Sequence, residues 1–211
     1  MTKPKRLVFD LDGVLFNFNR GYGELLTKLC GDKLPAGWRT DSEFPPIWDW
    51  DQAAGYTRDE MNTVWTEITK KDSQFWAKLA PLEGAKEVVY KLNQLSAKGV
   101  EVLFLTNRLG HGVKRQSEIA LYNLGMNYPT VIIAPSGEAK IPILREIGAD
   151  FFIDDRGPTV LEAADISHRE CWQNFNLFLL KKPYNHNTPA HKAINVVNTA
   201  KESLDLVGLW N

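Results

Sequence analysis

Leu7-Val8-Phe9 is a run of three apolar residues closed by an aspartate, and runs like it recur along the chain. Arg6 to Asp10 reads as a short buried strand. Val102-Leu103-Phe104-Leu105, Val131-Ile132-Ile133-Ala134, Phe151-Phe152-Ile153 and Leu177-Phe178-Leu179-Leu180 read the same way. A half-buried strand alternates apolar with polar residues, whereas a continuous apolar run suits a strand covered on both faces, as in a parallel sheet. Parallel strands need helical crossovers, and the stretches between the runs supply them. Val88, Val89, Leu92 and Leu95 share one helical face ahead of Gly99, and Ala120, Leu121 and Leu124 precede Gly125 in the same way. Leu144 and Ile147 precede Gly148, and Val160, Leu161 and Ala164 form a stripe after Pro158. Thr188 and Pro189 resemble an N-cap and first-turn pair, which predicts a last helix carrying Ile194, Val197 and Leu204. Strand alternating with helix predicts a doubly wound α/β core with a mainly parallel sheet.

One segment interrupts the alternation. From Asn17 to Leu82 the signals are helical only. Tyr22, Leu25, Leu26 and Leu29 have helical spacing, and Thr57 with Glu60 forms a capping-box pattern before Met61, Val64, Trp65 and Ile68. Asp72, Phe75, Trp76 and Leu79 predict a third helix ended by Pro81, and a Pro- and Trp-rich stretch runs from Trp38 to Trp50. The expected organisation is an α/β core over residues 1–16 and 83–211, with residues 17–82 as a small helical cap inserted after the first strand.

Composition narrows the class. The chain has 211 residues and a formal net charge of −1, so no strong global field grips a polymeric nucleic acid or an anionic membrane. The longest apolar runs are strand-length, far short of a membrane span. Lys3, Lys5 and Arg6 precede an apolar stretch that Asp10 and Asp12 interrupt, so a signal-peptide core is not expected there. Cys30 and Cys171 lack Cys or His neighbours at zinc-ligand spacing and read as two reduced, buried thiols of a cytoplasmic protein. The four histidines (His111, His168, His186 and His191) show no ligand spacing either.

The chemistry gathers at strand ends. The first strand runs into Asp10-Leu11-Asp12-Gly13-Val14 and the fourth into Asp154-Asp155. In a doubly wound sheet both acidic pairs face the crevice at the carboxyl ends of the strands, where such proteins bind ligands. Two acidic pairs there repel each other unless a cation holds them, and hard oxygen ligands favour Mg²⁺. The second strand ends in Thr106-Asn107-Arg108, and Lys140 opens the helix before the fourth strand. Carboxylates, a hydroxyl, an amide and cations converging on one crevice describe a phosphate site with a metal in it. A calcium loop starting at Asp10 would need an acid at its twelfth position, where Gly21 stands.

In order, Asp10-Leu11-Asp12-Gly13-Val14, Thr106 after an apolar strand, Lys140, and Asp154-Asp155 resemble the four motifs of the haloacid dehalogenase superfamily of phosphatases. That resemblance implies that Asp10 is the nucleophile and forms an aspartyl-phosphate. It implies that Asp12 is the general acid and base. Mg²⁺ would be held by Asp10, the main-chain carbonyl of Asp12, and one or both of Asp154 and Asp155. Thr106 and Lys140 would hold phosphoryl oxygens, with main-chain amides near Leu11 and Asn107 assisting. The presence of Asp12 argues against the dehalogenase branch.

A narrower resemblance, to the 5′(3′)-deoxyribonucleotidases, rests on Asp10 to Phe18, on the adjacent Asp154-Asp155 and on Lys182-Pro183-Tyr184-Asn185. It implies a nucleoside monophosphate as substrate, with Phe18 where the family stacks a base and Trp48 and Trp50 as further stacking candidates. The sequence departs from that family at Thr106-Asn107-Arg108, where Ser and then Pro or Ile usually follow the Thr. Arg108 is divided between a substrate contact and a solvated loop charge. A sugar phosphatase, a phosphatase for the 3′-phosphate of a nucleic-acid end, and a non-catalytic binding protein are the alternatives. The oligomeric state stays open, a homodimer included.

Overall fold

The computed structural model describes residues 5–35, 38, 45–170, 172 and 174–210. Cys171 and most of the 36–44 stretch lie outside the described residues. Six strands form one sheet: β1 (Arg6–Phe9), β2 (Glu101–Thr106), β3 (Val131–Ile133), β4 (Phe151–Asp154), β5 (Asn176–Leu180) and β6 (Ile194–Val197). Their order is β3-β2-β1-β4-β5-β6, and every pairing is parallel. The helices of the core are α4 (Ala85–Ser96), α5 (Val113–Leu124), α6 (Lys140–Glu146), α7 (Gly157–Arg169) and α8 (Ala200–Leu206).

Why the strands read as continuous apolar runs is visible in how they alternate. Leu7, Phe9, Phe104, Phe151, Ile153 and Phe178 point to the face carrying α4, α5 and α8, where they meet Val89, Leu92, Leu121 and Leu204. Val8, Leu103, Leu105, Phe152, Leu177 and Leu179 point to the other, against Ile141 and Leu144 of α6 and Val160 and Ala164 of α7. Both faces are therefore dry, and each buried Leu or Phe contributes roughly 1.5–3 kcal/mol relative to exposure. The strand order reverses beside β1, which has β2 on one flank and β4 on the other. Register places Phe9 opposite both Phe104 and Ile153, so the residues after β1, β2 and β4 emerge together at one edge.

Between β1 and α4 lie α1 (Phe18–Cys30), α2 (Trp50–Ala53) and α3 (Arg58–Thr69). The Thr57–Glu60 capping box is formed: the Thr57 hydroxyl accepts from the Glu60 N–H and the Glu60 carboxylate from the Thr57 N–H. The two connections into this segment run side by side, since Asn17 N donates to Ala80 O and Leu82 N to Leu15 O, both at 2.9 Å. The helix expected over Asp72 to Leu79 is only a 3₁₀ turn, Trp76–Lys78. Trp76 is fixed instead by bonds to other elements: its main-chain N–H donates to Gln116 Oε1 (3.2 Å) and its indole N–H to Leu109 O (2.9 Å).

Two further expectations are corrected. Ile194 and Val197 sit on a strand, because these β-branched residues pair in parallel with Leu177 and Leu180 at the end of the sheet. The last helix starts later, capped by Thr199, whose hydroxyl accepts from Glu202 N. Thr188 instead closes a turn onto Asn185 O. Cys30 is half-buried rather than buried, and it is a free thiol. No helix among the described residues is long and apolar enough to cross a membrane.

Candidate active site

Asp10 is the first residue beyond β1, and its N–H is still held by Ile153 O of β4 at 3.0 Å. The chain then turns tightly: Leu15 N and Phe16 N both bond Leu11 O, and Gly13 N bonds Phe16 O. Gly13 takes φ +73°, and a Cβ there would fall closer than 3.0 Å to the Asp155 carboxylate. The turn thus needs glycine twice over, for its left-handed backbone and for the close approach of an acid from the neighbouring strand.

One ligand atom from each of Asp10, Asp154 and Asp155 lies within 4.8 Å of the other two, and all three residues are buried. Lys140, the first residue of α6, brings its ammonium to 2.8 Å from Asp10 Oδ1 and 2.8 Å from Asp154 Oδ2. Only the bond to Asp154 is aligned, which leaves the buried Asp10 Oδ1 with no aligned hydrogen-bond donor. Asp154 Oδ1 accepts from Arg156 N at 2.8 Å. Asp155 takes the Tyr184 phenol on Oδ2, and its main-chain oxygen accepts from Asn185 Nδ2 at 2.7 Å. The 3₁₀ turn Pro183–Asn185 after β5 therefore serves to hold Asp155.

The electrostatics follow from burial. Asp10 is pushed well above the usual carboxylate range by loss of water; the nearby acids add to this and Lys140 opposes it. Asp155 is pushed up to about 7 by burial and by Asp154, with the Tyr184 bond working against the shift. Burial disfavours the Lys140 ammonium, but Asp10 and Asp154 outweigh it and hold its proton more tightly than usual. With Lys182 acting on Asp155 as well, two ammonium groups stand against three clustered carboxylates, which leaves negative charge uncompensated. A hard, oxygen-only donor set of three buried carboxylates fits a divalent cation such as Mg²⁺.

Asp12 lines the same cleft but pairs with a different cation. Its carboxylate, a fifth exposed, forms a bidentate pair with Arg108: Nε to Oδ2 at 2.9 Å and Nη2 to Oδ1 at 2.7 Å. Its side chain is accordingly not one of the clustered carboxylates. Arg108 is neither a solvated loop charge nor part of the cleft lining; its side chain is wholly buried.

Asp10, Asp12, Thr106, Asn107, Lys140, Asp154 and Asp155 all line one cleft of about 690 Å³, and so do Phe18, Trp48 and Trp50. The Asn107 amide donates to Ala134 O at 2.8 Å, tying the ends of β2 and β3 together. The three aromatics differ sharply. Phe18 is half-buried, with its ring packed among Tyr22, Trp65, Trp76 and Phe75. Trp50 is 5% exposed and its indole donates to Asn19 Oδ1. Trp48 is 54% exposed and meets Tyr184 edge-on at 5.3 Å. Sequence reasoning missed Arg156, whose guanidinium reaches the cleft and fills the space a Cβ on Gly137 would need. It follows the acidic pair directly, but one basic residue after two acids is too ordinary a pattern to signal it.

No protein-family model and no curated protein matches the sequence. Solved structures do match the fold. One is a haloacid dehalogenase family hydrolase from Deinococcus radiodurans with bound phosphate and sodium, at 16% identity over 99% of this chain and 98% of that chain, TM-score 0.57. Another is a dehalogenase with intermediate complex, at 15% identity over 98% of each chain, TM-score 0.54. A haloacid dehalogenase-like hydrolase from Xanthomonas campestris follows at 13% identity over 99% and 97%, TM-score 0.50. At these identities the likeness establishes the architecture: the chain has the doubly wound fold found in haloacid dehalogenase-type hydrolases.

Proposed function

We propose that the protein is a Mg²⁺-dependent phosphomonoester hydrolase working through an aspartyl-phosphate on Asp10, with small nucleoside monophosphates as its substrates. The observation that carries this reading is the clustering of Asp10, Asp154 and Asp155 at the sheet's reversal point, with the Lys140 ammonium against Asp10 and Asp154. The phosphate bound in the Deinococcus hydrolase of the same fold supports it.

In this mechanism an Asp10 carboxylate oxygen attacks phosphorus and the bond to the leaving oxygen breaks. Asp12 gives that oxygen its proton. Water then attacks the aspartyl-phosphate, Asp12 takes back a proton, and phosphate leaves with Asp10 restored. Lys140, Thr106 and Asn107 hold the non-bridging oxygens. Asp10, Asp154 and Asp155 would hold the metal, together with the Asp12 main-chain oxygen; when bound, it offsets negative charge between nucleophile and phosphate. Residues 17–82 act as the cap that closes over the leaving group. Within it, exposed Trp48 is the better stacking surface for a base, since Phe18 and Trp50 are already packed.

The dehalogenase of the same fold raises a second reading, in which Asp10 displaces a halide from carbon. A halide needs no proton on leaving, so that chemistry leaves Asp12 without a task. Phosphate release from nucleoside 5′- and 3′-monophosphates, sugar phosphates and a nucleic-acid 3′-phosphate, with Mg²⁺ and with chelator, tests the proposal. Metal-dependent turnover of nucleotides above the other esters supports it, and the absence of release from every ester rejects it.

A further inference from the structure

Arg108 carries more structure than an ion pair to an acid that is a fifth exposed requires. Its side chain has no solvent exposure. Nε and Nη2 grip both oxygens of Asp12, and Nη1 donates to Ser117 Oγ at 2.9 Å. Ser117 is itself anchored by donating to Val113 O at 2.8 Å. The guanidinium carbon lies 4.9 Å from the centre of the Trp76 ring and 5.5 Å from that of Phe16. Burying a cation costs several kcal/mol before its pairing is counted, so such an arrangement is a poor device for stability alone. Its geometric effect is clear. A carboxylate on a turn has free rotation about its side-chain bonds; a planar two-point grip from a fixed donor leaves one orientation.

We propose that Arg108 is the positioning residue for Asp12, fixing the carboxylate that exchanges protons with the leaving oxygen and with water. The inference rests on the phosphatase reading. It goes beyond it by assigning the third residue of Thr106-Asn107-Arg108 to the acid and not to the phosphate. Arg108 reaches the reaction only through Asp12, and misplacing a reacting group by about 1 Å can cost on the order of 100-fold in rate. The loss depends on the ester. An alkyl leaving group needs the proton, whereas p-nitrophenolate leaves without it.

The test is kcat/KM of wild type and Arg108→Lys on p-nitrophenyl phosphate and on alkyl phosphates, with Mg²⁺, alongside the inhibition constant of inorganic phosphate. Lysine keeps the charge and loses the two-point grip. The expected result is a fall on the order of 100-fold on alkyl esters and less than about threefold on the aryl ester, with phosphate inhibition unchanged. Repeated in an Asp12→Asn background, Arg108→Lys should change nothing further, because the residue it positions is gone. Ser117→Ala, which frees Nη1 but keeps both bonds to Asp12, should show the same ester-selective pattern more weakly, and it provides the answer if the lysine variant fails to fold. An equal loss on all esters, no loss, or an undiminished effect in Asp12→Asn overturns the assignment while the phosphatase reading stands. A wild type inert on every ester rejects the phosphatase reading and this inference with it.

Discussion

Gly13→Ala is a single methyl group placed where two constraints meet. Gly13 sits at φ +73°, and left-handed backbone costs a residue with a Cβ roughly 1–2 kcal/mol. The new Cβ would also fall closer than 3.0 Å to Asp155 Oδ2 and Cγ. That carboxylate cannot swing aside without releasing the Tyr184 phenol, and a hydrogen bond to a charged group contributes about 1.5–3 kcal/mol. Together these give a destabilisation of about 2.5–5 kcal/mol. At this chain length 1 kcal/mol moves the melting temperature by about 2–4 °C, so a drop on the order of 10 °C is expected. Thermal unfolding in chelator measures it. The same scan with Mg²⁺ adds an independent reading, because binding at 100 times Kd stabilises the wild type by about 2.7 kcal/mol. With Asp155 displaced, most of that increment should vanish in Gly13→Ala. A variant that melts within about 1 °C of wild type and keeps the full Mg²⁺ increment refutes the reasoning on both counts.

Other predictions follow from the same structure. Lys140→Met strips an aligned cation from buried Asp154 and an ion-pair partner from Asp10; urea unfolding should show a loss of about 3–5 kcal/mol, and an unchanged midpoint would count against the ion-pair reading. Trp50→Ala should cost about 3–5 kcal/mol as a buried ring is lost, whereas Trp48→Ala should leave stability within about 0.5 kcal/mol and raise KM for nucleotides; the reverse pattern would invert their assignment. Lys33 and the Thr57 N–H hold the Glu60 carboxyl below its ordinary 4.5. A depressed folded value gives stability that is present above the unfolded value and lost as pH falls through the folded one. The melting gap between wild type and Glu60→Gln should therefore be full at neutral pH and close below 4.5, and a gap that widens on acidification would contradict this.

The features legible in the sequence were those enforced by periodicity and local chemistry. Val8 and Phe9 both had to be apolar because β1 is covered on both faces, and Gly125 follows α5 in the left-handed conformation that ends a helix. The acidic pairs and Lys140 were legible because strand ends in a doubly wound sheet share one edge. What escaped depends on partners far away in the chain. Ile194 and Val197 fit a helical stripe as well as a strand, and only pairing with β5 decides between them. Trp76 was placed on a helix by spacing, but Gln116 and Leu109 hold it in a shorter turn. Arg108 gives no local sign that its partner is Asp12, which precedes it by 96 residues. Phe18, Trp48 and Trp50 look alike as aromatics, and only packing separates a free face from a covered one.

The central claim is that Asp10 itself carries the phosphoryl group. Rapid acid quench of the enzyme turning over a nucleoside monophosphate in Mg²⁺, followed by peptide mass analysis, tests it directly. The account predicts a phosphoryl group on the peptide containing Asp10, absent in chelator, with no turnover by Asp10→Asn. Turnover that persists in Asp10→Asn, or a phosphoryl group on any other residue, would contradict it.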